Sequence, residues 1–169
     1  MSQSATEPDP VMEQITAAVT AHRAGSGQPR DDLIALWSRL TPAGDPLHRC
    51  VLAHHLADRV DDPAQALMWD VRALDAADLI DDARAAEQRL SLQVAAFYPS
   101  LHLNIADNLR RLGSFGAAGD HVAAARARAG ALADLGPEHS DYVTLLRTLI
   151  DEIAALVTER SSAPRDTRA

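Results

Sequence analysis

The residues with chemical reach in this chain are seven histidines and a single cysteine, set among Asp and Arg. Cys50, His54 and Asp58 follow one another at four-residue intervals, so on a helix they share one face. Thiolate, imidazole and carboxylate are all zinc ligands, and a nucleophilic Cys50 would find its base in His54. His48 and His55, seven residues apart, share the adjacent face, with Arg59 a further turn along. The spacing speaks against coordination. Helical sites such as HExxH pair two histidines four residues apart, and no two histidines here are so placed. Free cysteine is also among the most buried residue types, so Cys50 is expected to pack, and no metal or other cofactor is expected. No glycine-rich phosphate loop, GxSxG or paired CxxC occurs.

Helices must position these groups, because apolar residues recur at helical spacing and strand formers never gather in alternating runs. The fold class is therefore all-α. Asp9-Pro10, Asp45-Pro46 and Asp62-Pro63 each set a capping carboxylate before a proline suited to the first helical position. Asp31 and Gly136-Pro137 mark two further starts. The pattern predicts eight helices, at about 10–24, 31–41, 46–60, 63–79, 82–96, 99–112, 115–134 and 138–160. Tyr98-Pro99 is expected to separate the fifth from the sixth, since a residue before proline avoids helical geometry. Stripes run through Val11, Ile15, Ala18 and Val19; through Leu33, Leu36, Trp37 and Leu40; and through Val143, Leu146, Leu149, Ile150, Ile153 and Val157. Residues 1–8 and 161–169 are expected to be disordered tails around one domain at 9–160, and 24–30 a flexible loop.

Composition narrows the partners. Apolar residues make up 47% but aromatics only 4%, so the core must be built of aliphatic residues and alanine. All sixteen basic residues are arginine, which with the alanine richness reads as GC-biased coding of the actinobacterial sort. A net charge of −8 argues against a nucleic-acid binder. No apolar run approaches the roughly 20 residues of a membrane span, and MSQSATEPDP lacks the basic start and apolar core of a secretory signal. A cytoplasmic location without membrane contact is expected.

A repeat organises the chain. A shift of 52 residues places Arg59 on Arg111, Ala66 on Ala118 and Ala73 on Ala125. The later copy, Pro99 to Ala127, has His102, Ile105, Ala106 and Leu109 before a Gly113-Ser114 turn, then Ala118, Val122 and Ala125. In the earlier copy Cys50, Ala53, His54 and Ala57 precede Ala66, Asp70 and Ala73. This pattern resembles the tetratricopeptide (TPR) helical hairpin, with a longer period than the family's roughly 34 residues. Gly113, Gly116 and Gly119 are read as a turn and a close-packed helix surface.

The resemblance implies stacked antiparallel hairpins in a right-handed superhelix whose first helices line a concave groove. Carried over residue by residue, His48, Val51, His55, Asp58 and Arg59 would face that groove from the earlier hairpin. Ser100, Leu103, Asp107, Arg110 and Arg111 would do so from the later one, with Asn104 beside them. Asn104, Arg59 and Arg111 are the nearest analogues of the family's carboxylate clamp. The expected function is a non-enzymatic module that binds a protein or peptide through His48, His55, Asp58, Arg59, Asn104, Asp107, Arg110 and Arg111. The rival is a small-molecule or metal-dependent protein using a His48, His55, Asp58 and His102 cluster. Self-association through helix 138–160, forming a homo-oligomer, is a third reading. Trp69 is placed either in the core or at a pocket rim.

Overall fold

The computed structural model describes residues 9–23, 29–80, 88–133 and 140–165. Among the described residues every regular element is an α-helix and none is a strand. The helices are α1 (Pro10–Arg23), α2 (Pro29–Arg39), α3 (Pro46–Ala57), α4 (Pro63–Asp78), α5 (Gln88–Arg111), α6 (Phe115–Ala133) and α7 (Ser140–Thr158). No helix is long and apolar enough to cross a membrane among the described residues. Residues 24–28 of the expected loop 24–30, the start at Gly136-Pro137, the first residues of helix 82–96 and the tails 1–8 and 166–169 lie outside the described residues, while residues 29 and 30, expected in that loop, open α2.

The Asp-Pro starts are realised by side-chain caps. Asp9 Oδ1 accepts from the amides of Val11 and Met12 at 3.1 and 2.9 Å. Asp45 Oδ1 accepts from Leu47 at 2.8 Å, and Asp62 Oδ1 from Gln65 at 2.8 Å. Each satisfies an amide with no partner inside its own helix. At the Gly113 turn, Ser114 N donates to Leu109 O at 2.8 Å and Gly113 N to Arg110 O at 2.9 Å. Gly113 itself holds φ +80°, the left-handed geometry that such a helix end requires.

The expected break at Pro99 does not occur: α5 runs through it, so one helix stands where two were predicted. An interior proline costs about 3 kcal/mol. Leu101, Leu103 and Ile105, each 4% exposed or less, follow it in the same helix. Burying such a side chain is worth about 1.5–3 kcal/mol, so packing outweighs the local penalty. Pro99 is itself fully buried, and Ser100 Oγ donates to Phe97 O at 2.8 Å in the same turn.

Consecutive helices pack on one another from α1 through α4 to α5, α6 and α7, and α1 also meets α3, as α5 meets α7. Two apolar cores result. The first joins Ile15, Leu33, Leu52, Leu56 and Ala73 with Leu101; the second joins Leu103, Ala106, Val122, Leu132, Leu146, Ile150 and Ile153. Helix α5 contributes to both and holds the polar residues between them. The three predicted apolar stripes all supply core residues. The glycine surface does not behave as expected, because a Cβ on Gly116 or Gly119 would meet nothing within 4 Å. Close approach of α5 and α6 falls instead to Ala118 and Ala125, both 0% exposed.

Candidate groove along α5

Residues 97, 100, 104, 107 and 111 recur at three- and four-residue spacing and so form one stripe along α5. At its upper end Phe97 and Ser100 meet Met12 and Thr16 of α1, Val51 and His54 of α3, and Tyr142 of α7 around a cleft of about 470 Å³. That volume lies in the range of small-ligand sites, about 300–1,000 Å³. The Tyr142 hydroxyl bonds the Ser100 side chain across the cleft, and burial raises its pKa. His54 sets its ring edge-on to Phe97, with centroids 5.6 Å apart. Its Nε2 stands 4.0 Å from Asp58 Oδ2, while Nδ1 is buried without a hydrogen-bond partner. Burial holds the His54 pKa below its ordinary value against the pull of Asp58, so the ring is neutral at pH 7.

The middle of the stripe is polar and partly buried. Asn104 Nδ2 stands 3.5 Å from both Asp58 Oδ1 and Asp70 Oδ1, and Asn108 Nδ2 donates to Asp70 Oδ2 at 3.0 Å. Asp70 is 1% exposed. Desolvation lifts its pKa to about 8, the nearby Asp58 charge adds to that, and the two amides only partly offset it. Asp58 moves the other way. Burial would raise it, but His55 at 3.8 Å, His54 and Arg59 outweigh that and leave it below the ordinary carboxylate value. Two carboxylates in one seam are thus driven apart, one ionised and one protonated at neutral pH.

At the lower end Asp107 and Arg111 join Val60, Asp61, Pro164 and Arg165 around a cavity of about 340 Å³. Arg111 Nη2 donates to Asp61 O at 2.8 Å. The chain reverses after α7 at Arg160, the non-glycine residue with φ +53°, and runs back beneath Arg110. Arg110 Nη1 donates to the main-chain carbonyls of Ser161 and Ala163 at 3.0 and 2.7 Å. Its Nε and Nη2 lie 2.8 and 2.6 Å from Asp107 Oδ1. Residues 161–165, expected to be part of a loose tail, are therefore strapped to α5.

The expected site residues divide accordingly. His55, Asp58, Asn104, Asp107 and Arg111 stand along this groove, and Arg59 donates through Nη1 to His55 O. His48 does not join them: it is 8% exposed, and its Nε2 lies 2.6 Å from Asp9 Oδ2, which ties α3 to the cap of α1. Asp9 is held below its usual value, because the Met12 amide, His48 and the Val11 amide outweigh the effect of burial. Arg110 is fully buried under the strap, and Leu103 is in the second core, so neither faces the groove. Both are displaced from the 100–104–107 stripe by the 100° step of the helix.

The rival cluster is not assembled either. His102 lies two residues from Ser100, about 200° around the helix, and faces His121 of α6 instead. Among the described residues no three His, Cys, Asp or Glu side chains are grouped to hold a metal ion. Cys50 is 1% exposed; burial, with a contribution from Asp78, pushes its thiol up to about 12, so it is not a nucleophile at neutral pH. Trp69 is buried edge-on against Trp37, with centroids 5.1 Å apart and Arg72 over its ring, away from the cleft.

Asp70 and Asn108 were missed by the sequence reading, although a signal existed. Asp70 interrupts the otherwise apolar series Ala66, Trp69, Ala73, Ala76 and Ala77, and Asn108 follows Asn104 by one turn. The cleft residues Met12, Thr16, Phe97 and Tyr142 carry no local signal, because three separated helices supply them. No protein-family model, curated protein or solved structure matches the chain.

Proposed function

We propose that this chain is a tetratricopeptide-like interaction module of the cytoplasm that binds a protein or peptide segment along the groove between α3 and α5. The observation that carries this reading is the α5 stripe, which joins an apolar cleft to a polar, charged end on one continuous face. A peptide needs such a combination, with an anchor pocket for one side chain and hydrogen-bonding groups along its backbone. The packing order of the helices supports the repeat reading, since stacked hairpins contact only their neighbours. His55, Asp58, Arg59, Asn104, Asp107 and Arg111 are the residues proposed to meet the partner, while His48 and Arg110 hold the scaffold.

Photo-crosslinking tests the reading. A benzoylphenylalanine placed at Ser100 or Asn104 is expected to capture a defined partner segment, whereas one at Met68, 41% exposed on α4, is not. Arg59→Ala with Arg111→Ala is expected to weaken binding of the captured segment. Equal capture at Met68, or unchanged affinity in the double variant, removes the groove from consideration. A second reading, a small-molecule site, is favoured by the size and apolar lining of the upper cleft; saturable chemical-shift changes confined to Val51, Phe97 and Tyr142 on screening aromatic fragments would support it.

A further inference from the structure

His102 of α5 and His121 of α6 face each other outside the groove, with their Nδ1 atoms 3.0 Å apart and ring centroids 5.1 Å apart. Both rings are half-buried, so the open side of the pair reaches water. Two imidazole nitrogens bound to one ion at about 2.0–2.1 Å stand about 3.0 Å apart when the angle at the metal is about 95°. That is the cis angle of a square-planar or octahedral ion, the geometry of Cu²⁺ and Ni²⁺, and rings turned toward such an ion would close from 5.1 Å between centroids to about 4.7 Å. A tetrahedral zinc ion, at about 109°, would need the nitrogens to open to about 3.3 Å.

We propose that His102 and His121 form a cross-helix binding site for a late first-row divalent metal ion, with Ni²⁺ or Cu²⁺ held between the two Nδ1 atoms. Among the described residues no third His, Cys, Asp or Glu joins them, so water fills the remaining positions. The charged surroundings are mixed. Asp78 of α4 and Asp120 of α6 favour positive charge here, and Arg128 of α6 opposes it at His102. Tyr98, whose hydroxyl donates to Asp78 at 2.9 Å, lies under Arg128 and keeps that guanidinium on its ring, 4.5 Å from the centroid. Without metal, one ring donates its Nδ1 proton to the other; binding requires only that this ring carry its proton on Nε2 instead.

The site does not depend on the groove reading and is tested separately from it. Tag-free protein at pH 7.5 is titrated with Ni²⁺ while thermal stability and backbone NMR spectra are followed. One saturable equivalent is expected, with paramagnetic broadening centred on His102 and His121. His102→Gln and His121→Gln, each checked for native helicity, are each expected to weaken Ni²⁺ binding by more than about tenfold, since losing even an outer-shell partner costs about 10–100-fold. The absence of saturable binding, broadening centred elsewhere, or binding that survives His121→Gln would overturn the assignment and leave the pair as a shared-proton hydrogen bond.

Discussion

Replacing Asp70 by Asn should make the protein progressively more stable, relative to the wild type, as the pH rises from 5 to 7. Asp70 is 1% exposed and has no cationic partner among the described residues, only the amides of Asn104 and Asn108 and the nearby Asp58 charge. Its pKa rises from 3.8 to about 8 on folding. Between those values the folded state holds a proton that the unfolded state has released, so stability falls as pH rises. The slope for one such group is about 1.4 kcal/mol per pH unit. Between pH 5 and 7 the wild type should therefore lose about 3 kcal/mol relative to Asp70→Asn. The amide has the shape of the protonated acid and its oxygen can accept from Asn108 as Asp70 Oδ2 does; turning its NH2 toward the Asn104 amide carries a cost that does not change with pH and drops out of the slope. Every other ionisable group is common to both proteins, so the difference between them reports Asp70. Urea unfolding of the two proteins at half-unit steps from pH 4.5 to 8 measures it. A difference that stays flat across that range, or a wild type that gains on the variant as pH rises, would refute the reasoning.

Further expectations concern glycine and the strap. Gly116→Ala and Gly119→Ala should each raise stability by about 0.5–1 kcal/mol, because both sites are helical and a Cβ meets nothing. Gly113→Ala should lower stability by about 1–2 kcal/mol, since the cost there lies in the positive φ and not in space; thermal unfolding distinguishes the two signs. Arg110→Ala should destabilise the protein, since it removes the fully buried partner of Asp107 and leaves that carboxylate only Arg165 at 3.6 Å. It should also release residues 161–165 to limited proteolysis; a strap that stays protected in the variant would show that Arg110 does not hold it.

Features legible in the sequence were those decided within a few residues. The three Asp-Pro caps, the Gly113 turn and the apolar stripes of α1, α2 and α7 follow from backbone hydrogen bonding and helical spacing, and each stands where expected. Pro99 was misread because its local penalty was visible while the burial that exceeds it was not. The candidate site was legible only as a stripe on each helix. Residues on one stripe share a direction, which kept Asn104, Asp107 and Arg111 together, but the direction's target belongs to another helix. Hence His48 went to Asp9, His102 to His121 and Arg110 to the strap.

Short-range spacing between Pro99 and Ala127 thus determined that helices form there and that the chain turns at Gly113, but not that Pro99 is passed without a break. Only the tertiary structure decided which carboxylate lost water and which imidazoles met. Desolvation and side-chain pairing depend on chain segments tens of residues apart, and no local pattern encodes their approach.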